Sequence, residues 1–150
     1  MNRNRVPELL YLLNSWLTLS MQRQIKILAI DSKEIILKSI RKALNSDEKT
    51  EYIITTSGTS IEGLKLIRND IYDLVLLDLA MPGINGIEVL KRIKKFNYDI
   101  PIVMLSGYSS KSSYSDVISN GAENLLLKPF TTAELKSVVS NIFKADKSTG

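Results

Sequence analysis

YDLVLLDLAMPGINGIEVLKRIK, residues 72–94, holds one complete unit of the fold. Its apolar run Leu74–Leu77 is short, rich in Leu and Val, and halted by an acid, Asp78, which reads as a buried strand. Beyond that acid, the apolar positions Ile87, Leu90 and Ile93 recur at the 3.6-residue spacing of a helix with one buried face.

The same alternation extends in both directions. Apolar runs at Ile25–Ile30, Tyr52–Thr56, Ile100–Leu105 and Leu125–Leu127 read as four more strands. Between them, Ile36, Ile40, Ala43 and Leu44 share one helical face, and Ile61, Leu64 and Ile67 another. Leu135, Val138, Val139, Ile142 and Phe143 give the clearest stripe, with Thr131 or Thr132 as its cap and Glu134 in its first turn. Ser109–Asn120 is the weakest helix: its serines compete for backbone hydrogen bonds, and only Tyr114, Val117 and Ile118 are apolar. Strands alternating with helices imply an α/β domain with a parallel sheet covered on both faces. The reading divides the chain into an apolar helical extension (1–23), the α/β domain (24–145) and a disordered tail (146–150).

The extension differs from the rest. Pro7 and Glu8 suit a helix's first turn, and Leu9, Leu10, Leu12, Leu13, Trp16, Leu17 and Leu19 leave a narrow polar stripe. The apolar run is about half the roughly 20 residues that a membrane span needs. A signal peptide is the poorer reading, because Thr18-Leu19-Ser20 makes a weak cleavage site, and translation from Met21 is a duller alternative. Such a helix should bury itself against the domain or pair in a homodimer.

Composition narrows the chemistry. The 150 residues include no cysteine and no histidine, which removes disulfides, thiolate and imidazole metal sites, Ser-His-Asp triads and any histidine phosphocarrier. The net charge is +4, without a basic stripe carrying interleaved aromatics, so direct nucleic-acid binding is not expected.

The first residue past each of four strands carries chemistry: Asp31, Asp78, Ser106 and Lys128. In an open parallel sheet, ligands bind beyond the carboxyl ends of the strands where the order reverses. Singly, each has an ordinary explanation as a cap, a turn former or a solvated charge. Together, two acids, a hydroxyl and an amine converge on a hard cation such as Mg²⁺ and a phosphoryl group. With no histidine present, the acceptor is a carboxylate.

The stretches KILAIDS, YDLVLLDLAMPGINGIEVLKRIK, IPIVMLSGYS and GAENLLLKPF resemble the four signature blocks of response-regulator receiver domains, in order and spacing, over about Gln24 to Lys144. The resemblance implies a flavodoxin-like doubly wound sheet of order 2-1-3-4-5 with five helices, plus the extra N-terminal helix. It implies a stand-alone, cytoplasmic signalling module of two-component phosphorelays, not a conventional enzyme. Asp78 would be phosphorylated by a histidine kinase or phosphotransfer protein. Mg²⁺ would be held by Asp31, Asp78 and the Ala80 backbone carbonyl, and the phosphoryl group by Ser106, Gly107 and Lys128. Pro129 would follow a cis bond. The output would be docking to a downstream protein.

Three departures from the family pattern matter. Ser32 replaces the second acid after the first strand, which should weaken Mg²⁺ binding, with Glu34 one helical step on as a substitute ligand. Leu125 stands at the aromatic switch position. Ala80 and Tyr108 hold the positions that tune hydrolysis, and neither positions water well, so a long-lived phosphoryl group is expected. Ser32 and Leu125 also suit a pseudo-receiver that docks without phosphorylation. A flavodoxin-like cofactor binder would need Thr55–Ser60 as a phosphate loop, but a turn and helix cap explain that run better.

Overall fold

The computed structural model describes residues 5–20, 23–97, 99–107 and 114–144. Its elements in chain order are α1 (Arg5–Ser20), β1 (Gln24–Ile30), α2 (Glu34–Asn45), β2 (Glu51–Ser57), α3 (Ser60–Asn69), β3 (Leu74–Asp78), α4 (Gly86–Phe96), β4 (Ile102–Ser106), α5 (Tyr114–Ser119), β5 (Asn124–Leu127) and α6 (Thr132–Lys144). The five strands form one parallel sheet in the order β2-β1-β3-β4-β5, as the resemblance implied. The expected tail and Tyr108 lie outside the described residues, as does the first part of the serine-rich helix.

Alternation along the strands feeds two cores. Ile25, Ile27, Ala29, Leu74, Leu76, Val103 and Leu105 face α2 and α6. Leu28, Ile30, Val75, Leu77, Ile102 and Met104 face α3, α4 and Val117 of α5. Every residue of β3 and β4 is buried, which fits continuous apolar runs better than alternating ones. β4 starts after Pro101, whose nitrogen has no proton to give the ladder; Ile100 therefore falls outside the strand.

The helix faces differ from expectation in detail. α2 turns Leu37 inward with Ile40, Ala43 and Leu44, and Ile36 sits at the margin. α3 buries Ser60, Gly63, Leu64 and Ile67 and exposes Ile61, because the small residues allow close approach to Ile30. Tyr114 is exposed, so Val117 is the one fully buried residue of the six in α5. Thr131, not Thr132, caps α6: its hydroxyl accepts from the Glu134 N–H at 3.1 Å. Thr55–Ser57 end β2, Gly58 turns the chain and Thr59 caps α3, and the Ser57 and Ser60 hydroxyls bond within the protein, so the run is a strand end, turn and cap.

α1 does not bury its apolar face on the domain. Leu9, Leu10, Leu12, Leu13 and Trp16 each keep 56 to 64% of their surface in solvent. Among the described residues, no helix is long and apolar enough to cross a membrane.

Candidate functional site

The sheet order reverses between β1 and β3, which opens a crevice at their carboxyl ends. Asp31 is the first residue beyond β1. Its N–H continues the ladder by donating to the Ser57 carbonyl, so the residue is held like a strand residue and is fully buried. One of its carboxylate oxygens, Oδ1, accepts from the Lys33 N–H at 2.9 Å. Asp78 ends β3, pairs in register with Leu105 and is nearly as buried. Its Oδ1 accepts from the Ala80 N–H at 3.2 Å.

Lys128 joins the two acids. Its ammonium lies 2.5 Å from Asp31 Oδ2 and 3.3 Å from Asp78 Oδ1, with only 11% of its side chain exposed. Burying two carboxylates is costly unless a cation and hydrogen bonds compensate, and this pocket supplies both. β5 holds the lysine in place through its backbone: the Lys128 N–H donates to the Ser106 carbonyl at 2.7 Å. The Lys128–Pro129 bond is cis, as expected.

Ser106 ends β4, one residue past the partner of Asp78, and is buried. Its hydroxyl turns back to its own neighbour, donating to the Gly107 carbonyl at 3.3 Å. Asp31, Asp78 and Lys128 are thus in direct contact, and Ser106 is joined to them through the backbone.

The remaining residues are less engaged. Ser32 and Ala80 are exposed, Gly107 is half-buried, and Leu125 packs at the margin of the core beneath α3, α4 and α5. Glu34 pairs with Lys38 at 3.4 Å, and among the described residues no three acids come close enough to hold a metal by themselves. The donor set still fits Mg²⁺, which ordinarily takes one or two carboxylates and completes its shell with water and phosphate oxygens.

Two positioning residues had escaped the sequence reading. A Cβ on Gly86 would run into the Asp78 carbonyl oxygen and Leu79 Cα, so only glycine lets α4 start this close to β3. Its N–H donates to the Leu79 carbonyl, closing the loop from 79 to 86. The buried Ser60 hydroxyl ties that loop to α3 by donating to the Ile84 carbonyl at 2.7 Å. A glycine opening a helix was the signal that could have marked Gly86, whereas Ser60 stood out only within the Thr55–Ser60 turn and cap, with no signal for its bond to Ile84.

A model of the response regulator receiver domain matches residues 27–140. The chain belongs to that family. Receiver domains of known structure superimpose well: one from Clostridium thermocellum has a TM-score of 0.75 at 28% identity, covering 84% of this chain and 99% of that one. A CheY-like receiver from Methanospirillum hungatei gives 0.73 at 27%, covering 85% and 99%. Among curated relatives, a probable C4-dicarboxylate response regulator of Bacillus subtilis is 29% identical over 79% of this chain and 52% of its own length. A two-component response regulator of Arabidopsis thaliana is 31% identical over 80% of this chain and 23% of its own. This receiver therefore spans about half the length, or less, of the curated relatives it matches.

Proposed function

We propose that this receiver accepts a phosphoryl group on Asp78 from a phosphohistidine of a kinase or phosphotransfer protein, and signals by changing how it docks to a downstream partner. The observation that carries the reading is the Lys128 ammonium shared between two buried carboxylates, Asp31 and Asp78. Oδ1 of Asp78 already accepts from Ala80 and faces Lys128, which leaves Oδ2 as the attacking atom. The O–P bond forms as the donor's N–P bond breaks, and the released imidazole takes up a proton. Such transfer asks of the protein mainly positioning and charge neutralisation.

Asp31, Asp78 and the Ala80 backbone carbonyl would hold Mg²⁺, which neutralises charge on the phosphoryl oxygens; Ser32 supplies at most a neutral hydroxyl. Lys128 pairs with a second oxygen. The Ser106 hydroxyl rotates from Gly107 to a third, and Gly107 offers its N–H. This inward turn pulls on the loop after β4 and on α5, which is anchored by one buried side chain and so is easily biased. Leu125 has no ring to swing, so the switch is a repacking of that helix. Ala80 carries no polar atom to orient water, which favours a long-lived acyl phosphate. The setting is the cytoplasm, where such donors work.

A pseudo-receiver reading draws on one observation, the exposed Ser32 in place of an acid. Acetyl phosphate and Mg²⁺, with an Asp78→Asn control, separate the two. A mass gain of one phosphoryl group in the native chain alone is expected. No gain, or an equal gain in the control, selects the pseudo-receiver.

A further inference from the structure

We propose that α1 pairs with α1 of a second copy of this chain, making the receiver a dimer whether or not Asp78 carries a phosphoryl group. The proposal does not rest on the phosphoacceptor reading. At 100° per residue, Leu9, Leu10, Leu12, Leu13 and Trp16 fall within one half of the helix surface, and Glu8, Tyr11 and Ser15 lie on the other. Leu9, Leu13 and Trp16 follow the three-and-four spacing of a helix-pairing seam, with Leu10 and Leu12 on its flanks.

All five side chains keep more than half of their surface in water. Pairing two such faces removes on the order of 1,000 Å² from solvent, about the least that a specific interface needs. A contiguous exposed patch of this kind marks an interaction site.

Charge decides the occupant. α1 carries two charged residues, Arg5 at its first position and Glu8 in its first turn, and no Lys or Arg from Val6 to Ser20. Helices that lie on lipid put cations on their polar half, so a membrane surface is the poorer fit. From Val6 onward the apolar face has no charge that would select a differently built partner, and Arg5 stands only at its amino end, whereas an identical face is complementary by two-fold symmetry.

The position of α1 sets the consequence. Residues 21–23 connect it to Gln24, the amino end of β1, and the Asp31–Asp78–Lys128 pocket lies at the carboxyl end. The seven-residue strand separates the two by roughly 20 Å. Pairing therefore leaves the pocket open and is not switched by it.

Light scattering on the full chain from about 1 to 100 µM tests this. The expected particle has twice the mass of one chain, with or without acetyl phosphate and Mg²⁺, and persists in Asp78→Asn. Leu13→Glu, and the uncharged pair Leu9→Gln with Leu13→Gln, should give single chains with unchanged circular dichroism. Tyr11→Lys, on the opposite half, should stay dimeric. A single-chain particle at 100 µM overturns the proposal, as does a dimer that survives Leu13→Glu or is lost in Tyr11→Lys. So does a dimer that forms only with acetyl phosphate, or a chain that is single in solution and sediments with phosphatidylcholine–phosphatidylserine vesicles. Failure of Asp78 to take a phosphoryl group leaves the proposal standing.

Discussion

Removing the Lys128 ammonium leaves Asp31 and Asp78 buried together without the cation they share. Breaking a buried ion pair by deleting one partner costs more than the pair itself contributes, because the remaining charge has lost its water and gained nothing. Lys128→Met should therefore lower stability by about 3 kcal/mol in urea unfolding. Millimolar Mg²⁺ should restore part of the loss, since a cation that binds only the folded pocket stabilises it by mass action. Unchanged stability in the variant would place the lysine outside the pocket in solution. Ser32 gives the complementary test. Ser32→Asp adds a carboxylate beside Asp31, and calorimetric titration should show Mg²⁺ binding tightened about tenfold, or ~1.4 kcal/mol. The same change should destabilise the metal-free protein, where a further negative charge meets the existing two. Equal affinity in both proteins would mean that position 32 does not face the ion.

Two glycines show how differently helices can depend on a missing side chain. At Gly86 the atoms in the way are backbone, the Asp78 carbonyl oxygen and Leu79 Cα, and they cannot yield without moving β3. At Gly63 they belong to the Ile30 side chain, Cδ1 at 2.5 Å and Cγ1 at 2.9 Å, which is buried but can shift where backbone cannot. Gly86→Ala should thus cost about 2–3 kcal/mol, as overpacking does. It should also slow phosphorylation of Asp78 by acetyl phosphate. Gly63→Ala should stay within about 1 kcal/mol of the native protein, because the helix-propensity gain offsets the crowding. Urea midpoints for the pair check this, and equal losses would contradict it. The contrast also marks what the sequence could carry. Strand and helix identities follow from hydrophobic period, which is local. The inward face of α3 does not, because Ser60 and Gly63 are chosen for closeness of approach and not for apolarity. Hence Ile61 looked like core and is exposed.

At the scale of the molecule, the pocket was more legible than its supports. Asp31, Asp78 and Lys128 each follow a buried run, and parallel topology forces such positions to one edge of the sheet, so their meeting could be read from order alone, whereas the Ser106 hydroxyl at the same edge turns to Gly107. The Ser60 tether joins residues 24 apart through a loop with no periodic signal, and no local pattern encodes it. α1 was legible as a helix but not as one left in solvent, because burial depends on what lies opposite. That exposure has a thermodynamic consequence. Both cores draw their buried residues from Ile25 to Phe143, and none from α1. Deleting residues 1–20 should therefore leave the unfolding free energy within about 0.5 kcal/mol of the full chain. The comparison needs submicromolar protein, where self-association adds nothing to the folded state. At tens of micromolar the full chain alone should gain stability with concentration. A loss above 1 kcal/mol in the dilute truncated protein would mean that α1 packs on the receiver in solution, and its apolar face would then already have its cover.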